Sequence, residues 1–354
     1  IFYSHSMPLI SPILNFFNLY KVAKAIVKYN DFDIIHCRSY IPAIIGLKLK
    51  KKYEKKYIFD MRGFWPDERV EGGIWNLRNP VYKLVYKYFK KKEKELILNS
   101  DYVVTLTNKA KEEIKKWGFY NCPIEVIPCC ADPAVFSVES ISKRLYDYYK
   151  TFIKKENDRS IILSYLGSLE TWYLPGEMMH FYKRLLNKYP NSKFVFITKS
   201  NPNIIRHYIK KYGVPKNNVI IISAYRNEIP AILAHTDINI FFIKPTYSKI
   251  ASSPTKHGEV MLMGLPVICN SGIGDVDNII NSSATGYIIK DFTDECFDEA
   301  INKLDDFLTI SKKHISEQGK KIYSIEEGRL KYLNIYNYLT NIEKGEKSTV
   351  DSTT

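Results

Sequence analysis

Residues 244–267 read KPTYSKIASSPTKHGEVMLMGLPV. Ser252 or Ser253 suits a helix N-cap, and Pro254 suits the first helical position. Gly264 can end that helix before a strand that starts at Pro266. The spacing therefore predicts a helix over 254–263 handing over to a strand over 266–270, one step of an α/β sheet. Thr255 and Lys256 fall in the first turn, where a cation is unfavourable against the helix dipole. An anionic ligand reverses that sign. Free backbone N–H groups, a hydroxyl and an ammonium together make a phosphate site. Gly258 inside the helix costs about 1 kcal/mol relative to Ala, which close approach of a ligand or a neighbouring backbone would explain. Glu259 lies one turn beyond Thr255 on the same face and can accept hydrogen bonds from sugar hydroxyls. The competing reading is an ordinary capped surface helix with a solvated lysine.

Outward from that step, short apolar runs alternate with helical segments along the chain. Strands are expected at 33–37, 57–61, 101–106, 124–127, 161–166, 193–198, 219–222, 238–243, 266–270 and 286–289. Helices are expected at 16–29, 40–52, 79–98, 108–117, 175–189, 202–212, 227–235, 254–263, 274–281, 293–308 and 326–341. The alternation argues for parallel sheets, and strands apolar on both faces argue for sheets covered on both sides. Two such units are expected, 1–145 and 158–325, with a helix at 326–342 packing back toward the first. Residues 137–158 read as a polar connector with a helical piece, and 343–354 as a disordered tail. Ligands of open α/β sheets sit beyond the carboxyl ends of strands, so two facing sheets would hold one in the cleft between them.

The composition narrows the function. At 354 residues, 45% hydrophobic and 14% aromatic, the chain is neither disordered nor fibrous. Its net charge is +14, and residues 1–150 hold 26 basic against 16 acidic side chains, or +10 of the excess. A basic N-terminal half favours an anionic partner: nucleic acid, acidic lipid head groups or a phosphorylated substrate. Nucleic acid is set aside, because there is no glycine-flanked aromatic RNA motif or zinc finger and the lysines are scattered over several helices. No run of about 18 apolar residues is long enough to span a bilayer. The six cysteines form no C-x-x-C pair and read as small buried apolar residues in a reducing cytosol. Asp31/Asp33 and Asp275/Asp277 are too short a pattern to specify a metal, and none is expected.

A second candidate site is the loop DMRGFWPDERVEGG, 60–73. It follows a strand and concentrates acids, arginines and a Trp. Arg62 is read as meeting a phosphate or sugar, and Asp60 as orienting Arg62 or an acceptor hydroxyl. Trp65 suits stacking on a sugar ring or core packing equally. Glu68 is included on the acceptor side. His36 and Arg38 end the preceding strand and should lie beside Asp60 in a parallel sheet. An inert salt-bridged loop is the competing reading.

Several segments together resemble a retaining glycosyltransferase of family 4, with the GT-B fold. The unit Glu259-Val-Met-Leu-Met-Gly264-Leu-Pro266-Val267 resembles the family's second-domain segment after the phosphate loop. DIIHCRSY (33–40), SDYVVTLTNKAKEEI (100–114), IEVIPCCADPAVF (124–136), YLGSL (165–169), AILAHTDINIFFIKP (231–245) and GDVDNIINSSATGYII (274–289) follow in the family's order. The subgroup is marked by the Asp-Met-Arg-Gly loop and the Ser-Pro-Thr-Lys segment. The resemblance implies two Rossmann-like domains facing a cleft, with the first lacking its usual opening segment. It implies sugar transfer from a nucleotide-diphosphate donor to an acceptor hydroxyl with retention, in surface polysaccharide or glycoconjugate synthesis, without a metal cofactor. It places Gly167 and Ser168 near the diphosphate, Ala224, Tyr225 and Arg226 at the nucleotide, and Glu259 on the donor ribose. Two departures stand out. Ala251 occupies the position of the first Glu of the family's Glu–seven residues–Glu pair, and Arg62 that of the family's first-domain catalytic His. The usual Arg and Lys after the 167–169 loop are also missing. A catalytically impaired nucleotide-sugar-binding protein is therefore the alternative.

The expected transition state resembles an oxocarbenium ion with a leaving diphosphate, and its main need is charge at the leaving oxygens. Thr255, Lys256 and the helix start can supply it, with Ser253, Lys244 and Lys249 as further donor-side candidates. The acceptor is read as a saccharide or a lipid-linked molecule. Helix 79–98 has Val81, Leu84, Val85, Tyr88, Phe89 and Lys92 near one face and lysines elsewhere. It suits either the surface of an anionic membrane or an ordinary core-facing position. The expected location is cytoplasmic, at the inner face of the cell membrane if that helix binds lipid.

Overall fold

The computed structural model describes residues 11–350, with side chains for 14–340. It divides into two compact units, Ile1–Ile127 with Arg329–Thr354, and Pro128–Gly328. The boundary at 127/128 falls earlier than the expected 145. The expected connector 137–158 is mostly exposed and contains the helical piece Lys143–Lys150, and Tyr149 and Ile153 anchor it in the second unit's core.

The first unit holds α1 (Ser11–Tyr29), β1 (Ile34–Arg38), α2 (Tyr40–Tyr53), β2 (Lys56–Asp60), α3 (Trp65–Glu71), α4 (Pro80–Leu98), β3 (Tyr102–Thr105), α5 (Asn108–Lys116) and β4 (Ile124–Val126). Its sheet is parallel in the order β1-β2-β3-β4. Ile58, Phe59, Val103 and Val104 are fully buried. Helix α3 stands inside the segment read as a loop. It is short and charged, and a buried polar cluster holds it: Asp67 accepts from the Tyr86 hydroxyl and from Lys90 Nζ, both at 2.8 Å. Lys90 also pairs with Glu93, which accepts from the Tyr40 hydroxyl. Burial raises the Glu93 carboxyl above the usual range, opposed by Lys90.

The second unit holds α6 (Lys143–Lys150), β5 (Ile162–Leu166), α7 (Pro175–Lys188), β6 (Lys193–Ile197), α8 (Pro202–Tyr212), β7 (Val219–Ile222), α9 (Ile229–Leu233), β8 (Ile238–Phe241), α10 (Thr255–Leu262), β9 (Val267–Asn270), α11 (Val276–Ser283), β10 (Gly286–Ile289), α12 (Asp294–Asn302), α13 (Leu304–Leu308) and α14 (Lys312–Tyr323). Its sheet is parallel, ordered β10-β9-β8-β5-β6-β7, so the strand order reverses at β5/β8. The expected helix 293–308 breaks at Lys303 into α12 and α13. Helix α14 is missed by apolar periodicity because KKHISEQGKKIY is mostly polar. It is fixed by Ile315 and Tyr323 packing on Met261 of α10.

Helix α15 (Ile325–Val350) starts at the end of the second unit and continues in the first. The expected disordered tail is thus helical through Val350, and 351–354 lie outside the described residues. The cysteine reading needs correction: only Cys37 and Cys269 are buried, and Cys122, Cys129, Cys130 and Cys296 are half-buried. Among the described residues no helix is long and apolar enough to cross a membrane.

Candidate functional site

In the second unit, the ends of β5 and β6 and the loop after β7 enclose a pocket of about 390 Å³, a volume suited to a small ligand. Gly167, Ser168 and Ala224 line it together with Glu170, Thr198, Lys199 and Ser200. Gly167 takes φ +126°, which a side chain would strain. Its N–H donates to the Ile197 carbonyl at 3.0 Å, and Ser200 Oγ accepts from the Leu169 N–H at 2.9 Å. These bonds hold the β5 loop against the end of β6.

Lys256 lies directly behind Gly167. A Cβ added to that glycine would stand 2.7 Å from the ammonium. Lys256 is buried, and its Nζ donates to the Tyr165 hydroxyl at 3.0 Å. It also sits 4.2 Å from the Tyr165 ring centre and 3.5 Å from that of Tyr173, a close cation–π arrangement. The Tyr165 hydroxyl in turn donates a hydrogen bond to the Ser168 carbonyl. An ammonium has three protons to donate, and this one has a single hydrogen-bond acceptor among the described residues. Burial drives its pKa well below the usual Lys value, opposed by Glu259. Next to Tyr173, Trp172 carries Lys249 Nζ 3.6 Å from its ring centre, and Lys249 is also buried.

Helix α10 begins one residue later than its sequence suggests. Pro254 is the N-cap and no side chain caps the turn. Ser253 Oγ instead accepts the Cys129 N–H at 3.1 Å, so the capping role read for Ser252 or Ser253 is corrected. The competing picture of a surface helix is also corrected, since every residue of α10 after Thr255 is buried. Gly258 is explained by protein packing rather than by a ligand. A Cβ there would lie 2.8 Å from Cβ of Tyr323, and the Tyr323 hydroxyl pairs with His257 Nδ1 at 3.0 Å. Burial lowers the His257 pKa to about 3, so this ring is neutral.

Glu259 is buried and pairs with Arg226 at 2.7 Å. Arg226 also lies over the Phe136 ring. Tyr225 is 73% exposed, with Lys199 Nζ 5.5 Å from its ring centre. Lys244 and Thr255 are exposed. The Lys244 N–H donates to the Trp172 carbonyl at 2.8 Å, which ties the aromatic loop to the segment after β8.

In the first unit, register places Arg38 beside Asp60. Asp60 is buried. Its Oδ2 accepts from the Tyr332 hydroxyl at 2.9 Å and lies 3.6 Å from Arg38 Nε and 3.8 Å from His36 Nε2. His36 Nδ1 pairs with the Tyr336 hydroxyl at 2.8 Å. Asp60 Oδ1 is buried without a hydrogen-bond partner among the described residues, an atom open to a donor such as a substrate hydroxyl. Arg62 is exposed and adopts φ +60°, uncommon for a side-chain-bearing residue. Trp65 packs against Tyr40, Trp75 and Phe89 with ring centres 4.9–5.6 Å apart. Glu68 lies in the first turn of α3.

The structure therefore brings together Gly167, Ser168, Ala224 and Lys256 in one unit, and His36, Arg38 and Asp60 in the other. Sequence reasoning missed Tyr165, Trp172 and Tyr173 around the lysines, and Thr198, Lys199 and Ser200 in the pocket wall. The strand-end rule does point to both loops. It does not choose residues within them. Among the described residues no group of three or more His, Cys, Asp or Glu side chains is placed to hold a metal ion.

Two family models match the chain: Glycosyltransferase Family 4 over residues 1–135, and Glycosyl transferases group 1 over residues 150–322. No curated protein sequence matches it. Among solved structures, sucrose-phosphate synthase from Thermosynechococcus elongatus is similar at 13% identity, with a TM-score of 0.73, covering 95% of this chain and 81% of that one. A glycosyltransferase from Rickettsia africae is similar at 18% identity and TM-score 0.68, covering 96% and 84%. Anabaena HepE, in complex with UDP and glucose, is similar at 11% identity and TM-score 0.63, covering 95% and 84%. With its two parallel sheets and the two family matches, the chain belongs to the GT-B glycosyltransferases of family 4.

Proposed function

We propose that this glycosyltransferase moves a sugar from a nucleotide-diphosphate donor to an acceptor hydroxyl with retention, in the synthesis of surface polysaccharide or a glycoconjugate. The observation that carries the reading is the buried Lys256 ammonium behind Gly167, with one hydrogen-bond acceptor and a burial-lowered pKa. A diphosphate at the pocket rim supplies the missing acceptors and the missing negative charge. As the glycosidic bond breaks, charge grows on the leaving phosphate oxygen, and a preorganised cation there lowers the barrier. Thr255 and Lys249 add to the same end. Glu259, held by Arg226, accepts the ribose hydroxyls, and Tyr225 offers its exposed ring to the base. Asp60 Oδ1 receives the acceptor hydroxyl, with Arg38 and His36 beside the same carboxylate and Arg62 as a further acceptor-side candidate, and the acceptor is a saccharide or a lipid-linked one.

HepE is described with UDP and glucose, so uridine diphosphate is the first ligand to try. A thermal-shift panel of nucleotide diphosphates should single out one base, because a ligand that binds only the native state stabilises it by RT ln(1 + [L]/Kd). Glu259→Gln should weaken that ligand by roughly tenfold, the order of one charge-assisted hydrogen bond. A flat panel would remove the donor reading. The reading needs no divalent ion, so turnover should survive EDTA, and its loss would bring a metal in.

A second reading has its own support. Ala251 is fully buried where the family carries a Glu, and Arg62 stands in place of its His. Donor binding without hydrolysis or transfer against an acceptor panel would make the protein a nucleotide-sugar binder.

A further inference from the structure

Helix α4 divides its apolar residues between two faces. Phe89 turns inward onto Trp65 and Trp75, and Leu96 and Ile97 are buried. Val81, Leu84 and Tyr88 turn outward, 62%, 70% and 48% exposed. Their spacing of three and four residues lines them up on one stripe. Lys83, Lys87 and Lys91 are exposed alongside it, and none of the three forms an ion pair among the described residues. An apolar stripe bordered by lysines matches a bilayer interface, where the stripe enters the acyl boundary and the lysines meet acidic head groups. A protein partner with an apolar groove would match the stripe but would leave the lysines unanswered.

We propose that the N-terminal half of α4 docks the first unit on an anionic membrane surface. The inference rests on that unit alone, so it stands or falls separately from the donor reading.

The test is co-sedimentation of the full chain with phosphatidylcholine vesicles, with and without phosphatidylglycerol. Binding is expected only with phosphatidylglycerol, and should fall as salt rises. Lys83→Gln with Lys87→Gln should weaken it by roughly tenfold or more, from about 1 kcal/mol per basic residue at an acidic surface. Val81→Gln with Leu84→Gln should weaken it comparably at unchanged melting temperature, since neither side chain is in the core. Absent binding, or equal binding to neutral vesicles, would overturn the proposal. So would a dimer in light scattering that the Val81/Leu84 pair disperses, because the stripe would then serve a second copy of the chain.

Discussion

Replacing Lys256 with methionine is expected to lower turnover at saturating donor by roughly 10²–10³-fold, the range seen when one preorganised charge-stabilising group is removed. It is also expected to make the donor-free protein more stable. The two effects have one origin. An ammonium buried against Tyr165 and Tyr173 with a single hydrogen-bond acceptor is held at a desolvation cost. Methionine fills similar space without a charge, so a gain of about 1 kcal/mol is expected, or about 2–4 °C in a domain of this size. The pH dependence has a defined sign. Because the native-state pKa of Lys256 is lowered from the usual 10.5, the unfolded chain binds more protons between the two values. Stability of the wild type therefore rises with pH across that window, and the methionine variant lacks that contribution. Donor binding runs the other way: a diphosphate favours the charged amine, so affinity falls as pH passes the lowered pKa. Unchanged turnover in the variant would reject the phosphate role, whatever its stability.

The second large effect is expected from Gly264→Ala. Gly264 follows α10 at φ +72°. Its N–H donates to the Met261 carbonyl and the Leu265 N–H to the Val260 carbonyl, at 2.9 and 3.2 Å. That pair of bonds is a Schellman closure, whose turning residue must be left-handed. An alanine Cβ would stand 2.6 Å from the Lys312 carbonyl oxygen at the start of α14. Left-handed strain adds about 1–2 kcal/mol and the backbone collision about 1–3 kcal/mol more. A loss of roughly 3 kcal/mol should appear in chemical denaturation. A loss below about 1 kcal/mol would show that α14 does not press on this turn.

Much of the fold is legible in the sequence. All ten strands fall where apolar runs predict them, to within a residue or two at most ends, because a doubly covered parallel strand must be apolar on both faces. Gly264 as the closing residue of α10 is legible too, since left-handed closure selects glycine. The site is legible only in part. Lys256 stands out through its place at a helix start, whereas its cage does not: Tyr165 is one apolar-looking residue of a strand, and Trp172 and Tyr173 sit in an unpatterned loop. Asp60 is legible as a strand-end carboxylate. Its partner Tyr332 lies 272 residues further on, and Tyr336, the partner of the neighbouring His36, lies 300 residues beyond that histidine, with no motif to announce either.

The sequence by itself determined the succession of strands and helices, the order of the family segments and the candidacy of Lys256 and Asp60. These follow from local rules: periodicity, caps and the chemistry of single side chains. Only the tertiary structure decided that Lys256 is buried between two tyrosines, that Ser253 serves Cys129 rather than the helix, and that Val81, Leu84 and Tyr88 face outward. Burial and partner choice depend on which distant segments pack together, and an amphipathic helix does not say which of its apolar stripes the core will take.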